Sequence, residues 1–145
     1  SSRMVTRRGP RQSQLREMTE IEAAWMGALL EGEGHVTILE PKEMQTNIAP
    51  TCHAVVTNTD PEIISACLRV TGAGHVLPHT GGVSNLLYGR ETKQAYRWML
   101  QAWSEAVGFL QRVEPYSMKA QKALDRLGML IFGAPAVATR SQRRR

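Results

Sequence analysis

The sequence predicts an α+β fold in which helices cover one face of a four-stranded antiparallel sheet, in the order α-β-β-α-β-β-α with one more helix at the end. Three observations carry this expectation. Two segments, at Thr19 and Asp60, bear complete signals for the start of a helix. Two glycine pairs, Gly32 with Gly34 and Gly72 with Gly74, stop those helices just before stretches of β character. Those stretches come in pairs, and hairpins separated by helices build one antiparallel sheet with its helices on a single side.

In Thr19-Glu20-Ile21-Glu22 the threonine hydroxyl can cap a free amide while Glu22 reaches back to Thr19, a capping box. The helix is expected through Leu30. His35 to Glu40 has β character, and Pro50 to Thr57, rich in Val and Thr, is the second strand. The polar stretch Pro41 to Ala49 suits a long hairpin loop. Asp60-Pro61-Glu62 starts the next helix, with an aspartate cap, a proline in the first turn and an acid matched to the helix dipole. Ile63, Ile64, Cys67, Leu68 and Val70 repeat at helical spacing and are expected on one buried face. His75-Val76-Leu77 opens the third strand, Thr80-Gly81-Gly82 turns the chain, and Ala95 to Gln101 forms the fourth. Ser104 is expected to cap a further helix that Pro115 ends. Ser117 begins the last, with Leu124, Leu127 and Ile131 on one side.

The 145 residues suit one domain, and 42% apolar against 21% charged residues allow a packed core. Two cysteines fifteen positions apart exclude a disulfide scaffold, and the lack of a C-x-x-C pair argues against zinc. The longest apolar runs fall far short of a bilayer span and no signal peptide opens the chain, so an intracellular protein without membrane attachment is expected. Nine of the eighteen cations are arginines in the first sixteen and last six residues, unopposed by any acid. Residues 1–18 and 134–145 are therefore expected to be flexible basic arms around a domain at 19–133, serving polyanion contact or solubility. What remains carries nine cations against thirteen acids, so the body is no generic phosphate-binding surface.

The segment Trp25 to Gly34, WMGALLEGEG, is unusual. Ala24, Ala28 and Gly32 fall four apart, a stripe of small residues that lets a second helix approach closely. Glu31 and Glu33 sit at the helix end among glycines, where a carboxylate opposes the dipole unless a cation compensates it. Magnesium with glycine carbonyls would do so; a helix end with solvated acids is the other reading.

The same segment resembles the signature of the LAGLIDADG homing endonucleases. The resemblance continues through Val56-Thr57-Asn58-Thr59-Asp60, Gly72-Ala73-Gly74-His75-Val76, Ala95-Tyr96-Arg97-Trp98, and Pro115-Tyr116 followed by Lys119, and covers roughly residues 20–125. It departs from the family in Gly27-Ala28, where Ala-Gly is usual, and in Lys119, which lies one residue closer to Pro115 than the family spacing. The resemblance implies a curved sheet forming a DNA-binding saddle, and two signature helices side by side at a central interface. Glu33 is then the metal-binding acid, with the Gly32 carbonyl as a second ligand and Glu31 a more structural acid. Asn58 stands near the catalytic water where glutamine is common, and Lys119, or Lys122 one turn on, enters the active site. The cofactor implied is Mg2+, or Mn2+, with Ca2+ as a non-cleaving substitute.

One motif means one Glu33 per chain, so cleaving both strands of DNA implies a homodimer, through Ala24, Gly27, Ala28 and Glu31, on a near-palindromic site. Alternation along the strands puts His35 and Thr37 toward the double-stranded DNA and Val36 and Ile38 toward the helices. Thr51, His53, Val55 and Thr57 likewise face DNA, with Cys52, Ala54 and Val56 inward. Arg97 is the best candidate base reader, because arginine pairs bidentately with guanine; His75 and His79 are further candidates. The activity implied is site-specific DNA cleavage of the kind that mobilises introns or inteins. A binding-only relative, an intron maturase or a DNA-binding regulator, is the alternative, and the retained Glu33 favours cleavage.

Overall fold

Thr19 and Asp60 start helices in the way their neighbours dictate. In the computed structural model, which describes residues 13–40, 50–79 and 94–133, the Glu22 amide donates to Thr19 Oγ1 at 3.1 Å and the Thr19 amide to the Glu22 carboxylate at 2.9 Å. Helix α1 (Glu20–Glu33) follows, three residues longer than expected, and runs directly into β1 (Gly34–Leu39). Strand β2 (Thr51–Asn58) leads to α2 (Pro61–Thr71), where Asp60 accepts from the Glu62 amide at 2.9 Å and Gly72 closes the helix in the left-handed region. Strands β3 (His75–His79) and β4 (Ala95–Leu100) precede α3 (Trp103–Val113), one 3-10 turn (Glu114–Tyr116) and α4 (Met118–Phe132). The anticipated Pro41–Ala49 loop, the Thr80-Gly81-Gly82 turn and both chain ends lie outside the described residues.

All strand pairs are antiparallel, in the order β1-β2-β4-β3, and the sheet is curved. Cys52, Ala54 and Val56 of β2 and Trp98 and Leu100 of β4 point into the core, where Met26, Leu30, Ile64, Phe109, Leu110 and Val113 of the helices meet them. Trp98 anchors this layer. Its indole donates to the Ala73 carbonyl at 2.9 Å and its ring meets Phe109 edge-on at 5.4 Å, a geometry that adds about 1 kcal/mol beyond burial alone.

Three local expectations are corrected. Along α2 the buried stripe is Ile64, Cys67 and Thr71, while Leu68 is 39% exposed and Ile63 and Val70 only half-buried. Thr71 joins the core because its hydroxyl donates to the Cys67 carbonyl at 2.7 Å, which removes the penalty of burying it. Helix α3 begins one residue before Ser104, and Ala102 precedes it with no side-chain cap. In α4 Leu124 and Leu127 are buried as expected, but Ile131 is 43% exposed, since Ala120, Ala123 and Gly128 complete the packed stripe.

The basic arm expected over residues 1–18 does not extend that far. Residues 13–18 are packed: the Gln14 amide donates to Glu105 at 2.7 Å and the Arg16 amide to the Thr71 carbonyl at 2.8 Å. Met18 is buried, and Arg112 holds its carbonyl at 3.0 Å. The Gln14 and Arg16 amides and the Met18 carbonyl of this strap meet partners from α2 or α3, and Met18 adds apolar burial that an arginine-rich composition conceals.

Candidate active site and nucleic-acid interface

Helix α1 delivers Glu33 as its last residue, and the helix has no basic residue in its final turn. The carboxylate is exposed and has no hydrogen-bond or ion-pair partner among the described residues. Beside it the chain leaves β2, and Glu33, Thr57, Asn58, Thr59 and Ala95 line a cavity of about 330 Å3. The fold thus brings together Glu33 and Asn58, 25 residues apart in sequence. Asn58 Oδ1 accepts from the Asp60 amide at 2.8 Å, so this side chain also shapes the turn into α2. Thr57, Thr59 and Ala95 belong to the cavity too. Thr57 was legible only as a strand residue, because nothing local marks it as a neighbour of Glu33.

Glu31 has a different task. It accepts from the Ser117 hydroxyl at 2.9 Å and from the Lys119 amide at 3.0 Å, tying the end of α1 to the start of α4. The Lys119 amide, and after it the Ser117 hydroxyl, hold the Glu31 carboxyl below the ordinary glutamate range. Lys119 Nζ donates to the Gly34 carbonyl at 2.6 Å, immediately after Glu33, whereas Lys122 is exposed on α4. Of the two lysines, Lys119 is the one held at this end of α1. The sequence marks Ser117 as a helix start but not as a partner of Glu31, since the two are 86 positions apart.

Two of the four residues expected at a dimer interface are engaged within their own chain. Gly27 is buried beneath Tyr116, and a Cβ there would lie 2.6 Å from the Tyr116 Cβ. Glu31 is the inter-helix tie just described. The outer face of α1 is instead Ile21, Ala24, Trp25, Ala28 and Gly32, with Ile21 83% and Trp25 39% exposed.

The register places His35, Thr37, Thr51, His53, Val55, Thr57, His75, His79 and Arg97 on one face of the sheet, opposite the helices. His35, Val55, Met99 and His75 form one cross-strand row; Thr57, Arg97 and Leu77 form the next. Val55 is the exception in exposure. It lies between His35 and Met99 in the middle of the sheet, is only 3% exposed, and offers no surface to a ligand. Arg97 Nε is buried with no hydrogen-bond partner, and the guanidinium has no ion pair among the described residues. All four histidines of the chain share this face, and no described acid does. The described acids therefore sit elsewhere.

Both thiols point away from any such site. Cys52 and Cys67 are buried in the core, and burial pushes them up to about 11 and about 12, so both stay protonated and inert. No described helix is long and apolar enough to cross a membrane.

This architecture is the fold of the LAGLIDADG homing endonucleases. The homing endonuclease I-CvuI, bound to DNA in the presence of magnesium, superposes with a TM-score of 0.54 at 14% identity, over 77% of this chain and 68% of its own. The group I intron-encoded I-CeuI in complex with DNA gives 0.50 at 14% identity, over 79% of this chain and 54% of its own. I-SmaMI, a LAGLIDADG homing endonuclease bound to cleaved DNA, gives 0.50 at 11% identity, over 83% and 37%. No family model and no curated protein matches the sequence.

Proposed function

We propose that the protein is a site-specific, divalent-metal-dependent DNA endonuclease that hydrolyses phosphodiester bonds in both strands as a homodimer on a near-palindromic site. One observation carries the reading. Glu33, an acid with no partner among the described residues, lines a cavity with Thr57 and Asn58 at the edge of an acid-free sheet face, in a fold shared with DNA-bound homing endonucleases.

The residues at the helix end fit a hard divalent cation. A lone carboxylate at the negative end of a helix dipole is stabilised by positive charge, and the Gly32 carbonyl is an oxygen donor without an amide four residues on. No cluster of three potential metal-ligating side chains occurs among the described residues, so Glu33 and Gly32 would share the ion with DNA phosphate and with a second copy of the chain. Magnesium or manganese supplies Lewis-acid charge to the scissile phosphate when bound, while calcium is expected to support binding without cleavage. Asn58 has its amide nitrogen available to orient water, and Lys119 brings a cation to the same end of α1.

One chain offers one such carboxylate, and cutting two strands requires two. A twofold pairing of α1 with α1 supplies the second, through Ile21, Ala24, Trp25, Ala28 and Gly32, small and apolar side chains that allow close approach. Cleavage of this kind serves the mobility of an intron or intein and acts inside the cell.

The test is selection of bound sites from a randomised duplex library, followed by assay of the selected site for cleavage in magnesium, with sedimentation of the free protein and the complex. A near-palindromic site and a dimer are expected. Glu33→Gln should abolish cleavage and leave DNA binding measurable. A wild-type protein that binds its selected site yet never nicks it with any divalent ion overturns the enzyme reading in favour of a non-cleaving binder, a maturase or regulator on the same fold.

A further inference from the structure

Leu77 is a large apolar side chain on the open face of the sheet, which also carries the exposed Leu39 on the opposite edge strand. It is 43% exposed, and in the register it stands directly opposite Arg97. Its row runs Thr57, Arg97, Leu77 across β2, β4 and β3. The face carries four histidines, threonines, one guanidinium with no ion pair and no described acid, together with Leu39, Val55, Ala95 and Met99. An exposed leucine on an edge strand is a liability that proteins ordinarily suppress with charge, and directly opposite the one arginine of this face it offers an apolar contact to the same stretch of DNA. The major groove offers one such group, the C5-methyl of thymine.

We propose that Leu77 is a specificity-determining residue that packs on a thymine methyl next to a guanine read by Arg97. The inference rests on the reading of this face as a DNA-binding surface and extends it to a defined base step. Directly opposed side chains in an antiparallel pair lie about 5 Å apart, and successive bases in one strand rise about 3.4 Å. Arg97 and Leu77 therefore reach bases one or two steps apart. Arg97 pairs with the O6 and N7 edge of guanine, and Leu77 covers the neighbouring methyl, excluding water from both contacts. Each half-site should carry a guanine and a thymine within two base pairs of each other.

The test removes the methyl and nothing else. The site selected by the full-length wild-type chain is synthesised with thymine and with deoxyuridine, one position at a time, and the affinities are compared. Deoxyuridine at one position per half-site should weaken wild-type binding about three- to tenfold, and Leu77→Ala should bind both versions equally. Circular dichroism and the thermal midpoint of Leu77→Ala check that the edge strand is intact, and Leu77→Met, which keeps the apolar contact, should restore the discrimination. Wild-type binding that is indifferent to deoxyuridine at every thymine overturns this inference and leaves DNA binding standing, as does an unchanged preference in a folded Leu77→Ala. Failure of the wild-type chain to bind DNA overturns both.

Discussion

Gly74 shows how little freedom one position has where the chain enters β3. Its φ is +97°, and a Cβ there would lie 2.6 Å from the Met99 carbonyl oxygen and 2.7 Å from the Trp98 indole nitrogen. The same indole holds the Ala73 carbonyl, so the backbone and the largest buried side chain are locked together at this turn. Gly74→Ala should destabilise the protein by about 2–4 kcal/mol, as backbone strain and a displaced indole hydrogen bond add; urea unfolding followed by tryptophan fluorescence measures it. A glycine here was legible in the sequence as a helix stop before a strand. Its steric necessity was not, because Trp98 and Met99 lie more than twenty residues downstream.

At the level of elements, the joint between α1 and α4 is the informative one. Glu31 accepts from both the Ser117 hydroxyl and the Lys119 amide, at the positive end of α4. Its carboxyl is held below the ordinary glutamate range, so its contribution to stability is complete above the unfolded value, about 4.3, and is lost as pH falls through the folded value. Glu31→Ala should lower the thermal midpoint at pH 7, and the gap to wild type should narrow as the pH drops below about 4. A gap that widens on acidification contradicts the assignment. The starts of both elements were readable from Thr19 and Ser117, since caps are local signals. The tie between them was not, because carboxylate and cap meet only through the fold. Ser104 shows the opposite limit: a good capping residue is bypassed, and α3 starts one residue earlier at Trp103.

For the whole molecule, charge and shape divide the surface. The open sheet face carries no described acid, the helical face carries the core, and α1 presents an unpartnered outer stripe. Ala28 lies on that stripe and is exposed in the single chain, so Ala28→Arg should change its folding stability by no more than about 0.5 kcal/mol. In sedimentation the same variant should run as a monomer and lose double-strand cleavage. A dimer that survives Ala28→Arg moves the interface away from α1. The strap at residues 13–18 belongs to this scale as well. Met18→Ala should cost about 2–4 kcal/mol in thermal or urea unfolding, the usual loss for a buried methionine, which a flexible arm would not show.

What the sequence determined by itself was governed by near neighbours. The caps at Thr19 and Asp60, the strand alternation that put His35, Thr37, His53, Thr57 and Arg97 on one face, and the acid at the end of α1 all follow from spacings of two to four residues. Tertiary structure alone decided which of those residues keep a free surface. Val55 is buried although its parity faces outward, Gly27 is covered by Tyr116, Glu31 is claimed by α4, and Met18 is drawn into the core. Each outcome depends on groups from distant parts of the chain meeting at one point. Periodicity records which way a side chain points, and only the packed fold records what already stands there.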